Sequence, residues 1–210
     1  MTVSGGKVGR REVLGGAALF ALVVGVPFAA VRFSDLASDE RPSDRQRELM
    51  TEVADLVIPR TTTPGARDVG VGDFVLLALD HGLSGTGSPM ASGAITPALR
   101  PFVRRDGSLR HLEWLETTLD AAAEGNFMGQ KRGERSKILA ALDNDAMGQG
   151  AQWSPWVAIK GLILTGYYTS QAGGSRELRY ELVPGRFDPD LPIEADHRAW
   201  SSDWTAVEFG

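Results

Sequence analysis

The segment 156–168 constrains the fold most, because the helix that it predicts is apolar on nearly every side. Ser154 and Pro155 precede it, and serine at the cap followed by proline at the first helical position favours a helix start. Lys160 is the only charged residue within the segment. A helix that is hydrophobic all round belongs in the centre of a bundle or under a partner. The segment is shorter than the roughly 20 residues that span a membrane, so we do not predict a second membrane helix here.

Four other segments have apolar residues at helical spacing, and we predict them as helices over residues 44–58, 74–81, 109–124 and 133–147. Ser43 with Gln46 forms a capping-box pattern at the start of the first. Asp73 and Ser108 are the predicted caps of the second and third.

No strand-like alternation is long enough to build a sheet, so the predicted class is mainly α, a small bundle of about five helices. Glycine and proline recur after residue 173 and predict an extended C-terminal arm. The chain therefore divides into an N-terminal signal or anchor helix (1–33), a polar linker (34–42), a helical domain (43–172) and the arm (173–210).

The N-terminus has the layout of a twin-arginine export signal. Arg10 and Arg11 end a polar, basic opening and lead into an uncharged stretch, 13–31, that is rich in Gly and Ala. A soluble core helix would be weakened by the glycines and by Pro27 within this stretch. We therefore expect export to the periplasm or to the outer face of the cytoplasmic membrane.

The sequence leaves open whether this leader is removed. Cleavage after Ala30 would place Phe28 where a small residue is preferred. The uncharged stretch approaches the roughly 20 residues that cross a hydrocarbon core as a helix, so an uncut leader would remain as a membrane anchor.

Composition excludes several classes of function. The 210 residues include no cysteine, which excludes thiolate metal sites, cysteine nucleophiles and covalent haem attachment. The net charge is −5 and the basic residues are scattered, so nucleic acid is not an expected partner.

The sequence contains no pattern typical of an active site. His81, His111 and His197 are widely separated and form no HExxH motif, which argues against a metal site. The glycines of 82–87 lack the preceding strand and the spacing of a phosphate-binding loop. No Gly-x-Ser-x-Gly nucleophile elbow occurs. We predict no catalytic, cofactor-binding or metal-binding residue in this chain.

Aromatic side chains concentrate in the last third of the chain. A Gly- and Pro-rich tail of so small a domain cannot bury them all, and Trp and Tyr are favoured at protein interfaces. We predict a partner-facing surface formed by the tail and by the C-terminal end of the 156–168 helix, with these candidate residues: Tyr167, Tyr168, Tyr180, Pro184, Arg186, Phe187, Trp200 and Trp204.

Several groups of residues after Ser43 occur together in a recognisable order. They are 53–66 (VADLVIPRTTTPGA) with Val69-Gly70-Val71 and Phe74, then Phe127, then Lys160 with 162–170 (LILTGYYTS), and finally Tyr180 with 183–188 (VPGRFD). Together they resemble the signature of the gluconate 2-dehydrogenase subunit 3 family over most of the chain after the linker.

The resemblance implies a small, mostly helical, non-catalytic subunit of a membrane-associated dehydrogenase complex. It implies a large partner subunit, an FAD-dependent flavoprotein of the glucose-methanol-choline (GMC) type that oxidises a sugar or polyol, as in glucoside 3-dehydrogenases. A cytochrome c subunit carrying haem c often accepts the electrons in such complexes. The small subunit's leader would carry the folded flavoprotein through the twin-arginine translocase, and no cofactor is expected in the small subunit itself.

Two other functions remain open at this stage. One is a free-standing exported enzyme that uses His81 or His197 with a nearby carboxylate. The other is a membrane-anchored chaperone or binding module that releases its client after export.

Overall fold

The computed structural model describes residues 42–148, 153–180, 190, 192 and 198–201. These residues include five α-helices: α1 (Asp44–Val57), α2 (Val71–Asp80), α3 (His111–Ala122), α4 (Arg132–Met147) and α5 (Pro155–Tyr168). The predicted class, a mainly α bundle of about five helices, is confirmed. The signal or anchor helix, nearly all of the linker and most of the arm lie outside the described residues.

Helix α1 begins and ends where local chemistry predicts. The Ser43 side chain accepts a hydrogen bond from the Gln46 N–H, and the Gln46 side chain accepts one from the Ser43 N–H, so both halves of the capping box form. At the other end Ile58 leaves the helical region, as expected for a residue before proline.

The predicted start of α2 is corrected. The helix begins at Val71, directly after Gly70 in the left-handed conformation (φ 74°), and the Gly70 residue caps it without a side-chain hydrogen bond. Asp73 lies in the first turn instead of at the cap, where its negative charge still favours the positive end of the helix dipole.

The predicted cap of α3 is also corrected. Ser108 donates both its N–H and its hydroxyl to the Asp106 carboxylate within a tight turn, and Leu109 forms an antiparallel bridge with Val103. The Ser108 hydroxyl accepts from the Arg104 guanidinium at 3.4 Å, and α3 begins only at His111, with Arg110 at its cap position.

Short elements connect and follow the helices. Three 3-10 turns, Leu83–Gly85, Ser92–Ala94 and Arg100–Phe102, occupy the region between α2 and α3. After α5 the chain forms a π-helical turn, Gly173–Glu177, so the first residues of the predicted extended arm are helical, with Ser170 accepting the Gly173 N–H. Two short strands, β1 (Arg179–Tyr180) and β2 (Trp200–Ser201), then pair in parallel.

Helix α5 occupies the middle of the bundle and contacts each of the other four helices. Its inward residues Trp156, Ile159 and Ile163 are completely buried. Gly166 permits close approach to α2, because a Cβ at this position would lie 2.5 Å from the Phe74 ring. The prediction from its all-round hydrophobicity is thus confirmed, and none of the helices described is long and apolar enough to cross a membrane.

Candidate partner-binding surface

Although α5 is central, one of its faces is turned to solvent and carries no charge. Val157, Gly161, Leu164 and Tyr168 are all exposed. At 100° per residue they fall within an arc of about 60°, so they form one continuous stripe about 16 Å long. We call these four residues the α5 stripe.

Exposed large apolar side chains are confined to this part of the described chain. They are Met147, Trp153, Val157, Leu164 and Tyr168, with 38% to 55% of each residue accessible. Single exposed apolar residues are normal on a monomer, but a contiguous group on one helix marks an interaction surface.

The two neighbouring tyrosines predicted at the interface have different environments. Tyr168 is 42% exposed and belongs to the stripe, whereas Tyr167 is 1% exposed. Their rings meet edge to face, with centroids 5.3 Å apart. Tyr167 therefore packs within the chain, and only its neighbour presents a ring to solvent.

Tyr167 joins three segments that are distant in sequence. Its hydroxyl donates to the Pro64 carbonyl at 2.8 Å and lies 3.4 Å from the Glu177 carboxylate. Thr63 also donates to Glu177. Burial raises the pKa of the Tyr167 phenol; the hydrogen bond with Thr63 opposes this shift and the Glu177 charge adds to it. This junction fixes where the chain leaves α5 relative to the loop after α1.

That loop, residues 59–66, is held by its own contacts. The Ala66 N–H donates to the Ile58 carbonyl, and Asp68 accepts from the Gly65 N–H and from Arg60. The Arg60 guanidinium and the Gly65 N–H hold the pKa of Asp68 below its ordinary value. The threonines at the tip, Thr61 and Thr62, remain exposed beside the junction.

A charged cluster that sequence reasoning missed ties α1 to α4. Glu52 and Asp55 are buried on α1. Arg67 contacts Glu52 at 2.5 Å, Arg132 contacts Asp55 at 2.6 Å, and Arg135 contacts Glu52 at 3.1 Å. Two buried carboxylates thus face three guanidinium groups, the arrangement in which buried charge is tolerated.

One sequence signal could have pointed to this cluster. Glu52 and Asp55 are three residues apart and share a face with the apolar positions of α1, which places acidic groups at the edge of the core. Their arginine partners come from a loop and from a helix about 80 positions away, and no local pattern identifies them.

Lys160 also has a structural role. Its ammonium group contacts Asp143 of α4 at 2.7 Å, and the same carboxylate accepts from the Trp156 indole N–H at 2.7 Å. Burial acts to raise the pKa of Asp143, but the bonds from Lys160 and Trp156 outweigh it and lower that pKa. The single charge of the α5 segment is thus neutralised within the bundle.

The histidines do not converge in the described part of the chain. His111 is buried and its Nδ1 lies 3.1 Å from the Leu109 carbonyl, while His81 ends α2. Burial lowers the pKa of His111; the contact with Leu109 opposes this and the Arg104 charge adds to it. Within residues 42–148 and 153–180 and the few described beyond them, no His, Asp and Glu side chains group in a way that could hold a metal ion.

The other predicted interface residues are only partly described. The backbones of Tyr180 and Trp200 lie on the paired strands, and the register joins Tyr180 to Ser201 and Arg179 to Trp200. Arg10, Arg11, Pro184, Arg186, Phe187, Trp204 and His197 lie outside the described residues. Their assignment to the export signal, to the partner surface or, for His197, to a rival active site stays a prediction.

Comparison with known proteins gives one family match. The model of a family described as gluconate 2-dehydrogenase subunit 3 matches residues 44–185, which is more than half of the chain and spans all five helices. No curated protein and no solved structure matches the chain.

Proposed function

The chain belongs to the gluconate 2-dehydrogenase subunit 3 family, and on this premise we propose that it is the non-catalytic small subunit of an exported FAD-dependent sugar or polyol dehydrogenase. In this proposal its leader carries the folded flavoprotein of the GMC type through the twin-arginine pathway. The helical domain then stabilises that partner outside the cytoplasm, where a cytochrome c subunit takes the electrons.

The observation that carries the proposal is the family match over the whole helical domain. A protein described as a subunit of a dehydrogenase functions in contact with the other subunits. The uncharged, solvent-facing stripe on α5 supports this, because a surface of that kind is suited to contact with another chain.

The arrangement of titratable groups supports a non-catalytic role. The buried carboxylates Glu52 and Asp55 are paired with arginines, and Asp143 is paired with Lys160. These carboxylates are accounted for by ion pairs that hold the helices together.

Export of a preloaded flavoprotein gives a physical reason for the twin-arginine leader. A flavin must be inserted into its binding fold before translocation, so the loaded subunit has to cross the membrane folded. One signal, centred on Arg10 and Arg11, would then serve two chains.

The direct test is an affinity pull-down of the full chain, tagged after Gly210 and co-expressed with its neighbouring genes. We expect a second, larger chain in the eluate, identified by mass, together with the visible absorption spectrum of a flavin. A colourless single chain would contradict the proposal. Substrate turnover by that single chain would favour a free-standing enzyme.

A second measurement distinguishes a resident subunit from a transient chaperone. Co-purification from the exported fraction, with dehydrogenase activity in the same peak, is expected for a resident subunit. A flavoprotein that is active after export but separate from this chain would favour the chaperone.

A further inference from the structure

We propose that the α5 stripe is the docking site of the dehydrogenase subunit, and that the partner packs an uncharged apolar surface directly against Gly161. The inference rests on the proposed function and adds the face of this chain that makes the contact. Its observations are the absence of charge on an exposed helix face and a glycine that the packing of the described residues does not explain.

The exposed face of α5 is chemically unlike that of its neighbour α4. All the exposed positions of α5, namely Val157, Gly161, Leu164, Thr165 and Tyr168, are uncharged. The exposed face of α4 carries Arg132, Glu134 and Lys137 among others. Both helices lie at the surface of one chain, so the difference is local. A face without charge suits contact with an apolar surface, because charged groups are depleted at the core of interfaces.

Within the part of the chain that the structure describes, no packing contact requires glycine at position 161. A Cβ at this position would meet no atom of the described chain within 4 Å, and the residue lies in the middle of a regular helix. Glycine there destabilises the helix relative to alanine. Gly166 of the same helix differs, because a Cβ there would lie 2.5 Å from the Phe74 ring. The absence of a side chain at Gly166 therefore makes room for that ring. We infer that Gly161 accommodates an atom of another molecule in the same way.

The position of Gly161 supports direct packing. It lies between Val157 and Leu164 on the stripe. A partner surface can therefore contact the α5 backbone at Gly161, with an apolar side chain on either side. Small residues flanked by larger ones permit close approach of two regular elements. Trp153 and Tyr168, both exposed, stand beyond the two ends of this gap and are the residue types that contribute most to binding.

The partner is the dehydrogenase subunit and not a second copy of this chain. The family is described as a third subunit of a gluconate dehydrogenase, so its members are parts of a complex with other chains. All the exposed large apolar residues of the described chain lie between Met147 and Tyr168, so this is the apolar patch that the described chain offers to those subunits.

The test is the same co-expression pull-down with four variants of the full chain. Gly161→Ala and Leu164→Asp alter the stripe, while Gly133→Ala and Ala140→Asp introduce the same two residues, alanine and aspartate, on the exposed face of α4. Gly133 is also helical with open space around it, and Ala140 is exposed. We expect retention of the flavoprotein to fall about tenfold for Gly161→Ala and about 100-fold for Leu164→Asp, with little change for the α4 pair.

Gly161→Ala separates docking from folding. Because alanine favours the helix, the free variant should melt a few degrees higher than the wild type while its complex weakens. If Gly161 had a structural role instead, the substitution would lower both the melting temperature of the free chain and its retention of the flavoprotein. Higher melting temperature together with lost retention therefore supports docking at this glycine.

Failure of the inference and failure of the proposed function give different results. If the wild type retains the flavoprotein and both stripe variants retain it equally, the docking site is wrong and the proposed function stands. If the wild type retains no flavoprotein, both the inference and the proposed function are overturned.

Measurements on the free chain give two further outcomes. If the free wild-type chain is a dimer and the Leu164→Asp variant is a monomer, the stripe binds a second copy and the inference is overturned. If the free Leu164→Asp chain has a melting temperature well below that of Ala140→Asp, the chain's own residues cover the stripe. That result would also overturn the inference.

Discussion

At the scale of the residue, adjacent tyrosines with the same chemistry have opposite roles. Tyr167 is buried and donates to the Pro64 carbonyl, whereas Tyr168 exposes its ring beside it. A helix turns by 100° per residue, so neighbours cannot share a face, and the two side chains divide between core and surface.

This division predicts unequal effects of removing the two hydroxyl groups. Tyr167→Phe should destabilise the chain by about 1 kcal/mol, because the partly buried Pro64 carbonyl loses its donor. Tyr168→Phe should change the free energy of unfolding by less than about 0.5 kcal/mol, as expected for an exposed site. Urea denaturation of both variants measures the difference. Equal effects would contradict the junction described here.

At the scale of the element, ion pairs add directional contacts between helices that also share the apolar core. Glu52 lies on α1, and its arginine partners come from the loop before α2 and from α4. The apolar contacts are non-directional, whereas ion pairs with carboxylate geometry fix the relative register of the elements that carry them. We interpret the cluster as a structural device that orients α4 on α1.

Removal of Glu52 should therefore be costly. Glu52→Ala leaves Arg67, Arg132 and Arg135 without part of their counter-charge around a buried site, and we expect a loss of about 3 kcal/mol in the free energy of unfolding. Glu48→Ala is the matched control, because Glu48 is exposed on the same helix and should cost under about 0.5 kcal/mol. Thermal or urea denaturation of the two variants measures both changes. A loss below about 1 kcal/mol in the free energy of unfolding of Glu52→Ala would show that the cluster contributes little to stability.

At the scale of the whole molecule, the proposed function requires two parts of one chain to act together. In that proposal the predicted leader would supply the address, and the helical domain would supply the surface that holds the partner. A signal attached to a domain that bound nothing would export this chain alone, and a domain without the signal would leave its partner behind.

Replacing the arginine pair tests this coupling. The double variant Arg10→Lys with Arg11→Lys should leave both this chain and its flavoprotein in the cytoplasm, because the twin-arginine pathway reads the pair as its address. Arg32→Lys, a lysine substitution outside the pair, should leave export unchanged. Fractionation with detection of both chains measures the result, and normal export of the flavoprotein in the double variant would refute the carrier role.

The sequence by itself determined the elements whose causes are local. The capping box at Ser43, the end of the first helix near Ile58 and the Ser154-Pro155 start depend on neighbours along the chain, and each is found where it was predicted. The apolar character of the 156–168 segment likewise predicted its central position, because a helix without a polar face must be covered on most sides. The family resemblance was readable for the same reason, since its motifs are contiguous.

Only the tertiary structure decided which residues meet and which face remains open. Ser108 is not a cap because it lies in a tight turn with Asp106 and α3 begins three residues later, and the arginines around Glu52 come from separate elements. The apolar sequence of α5 predicts that the helix is buried, but it does not predict which of its faces remains exposed. The other four helices cover most of its circumference and leave the stripe around Gly161 exposed, because the extent of coverage is set by how whole elements pack and not by any local pattern.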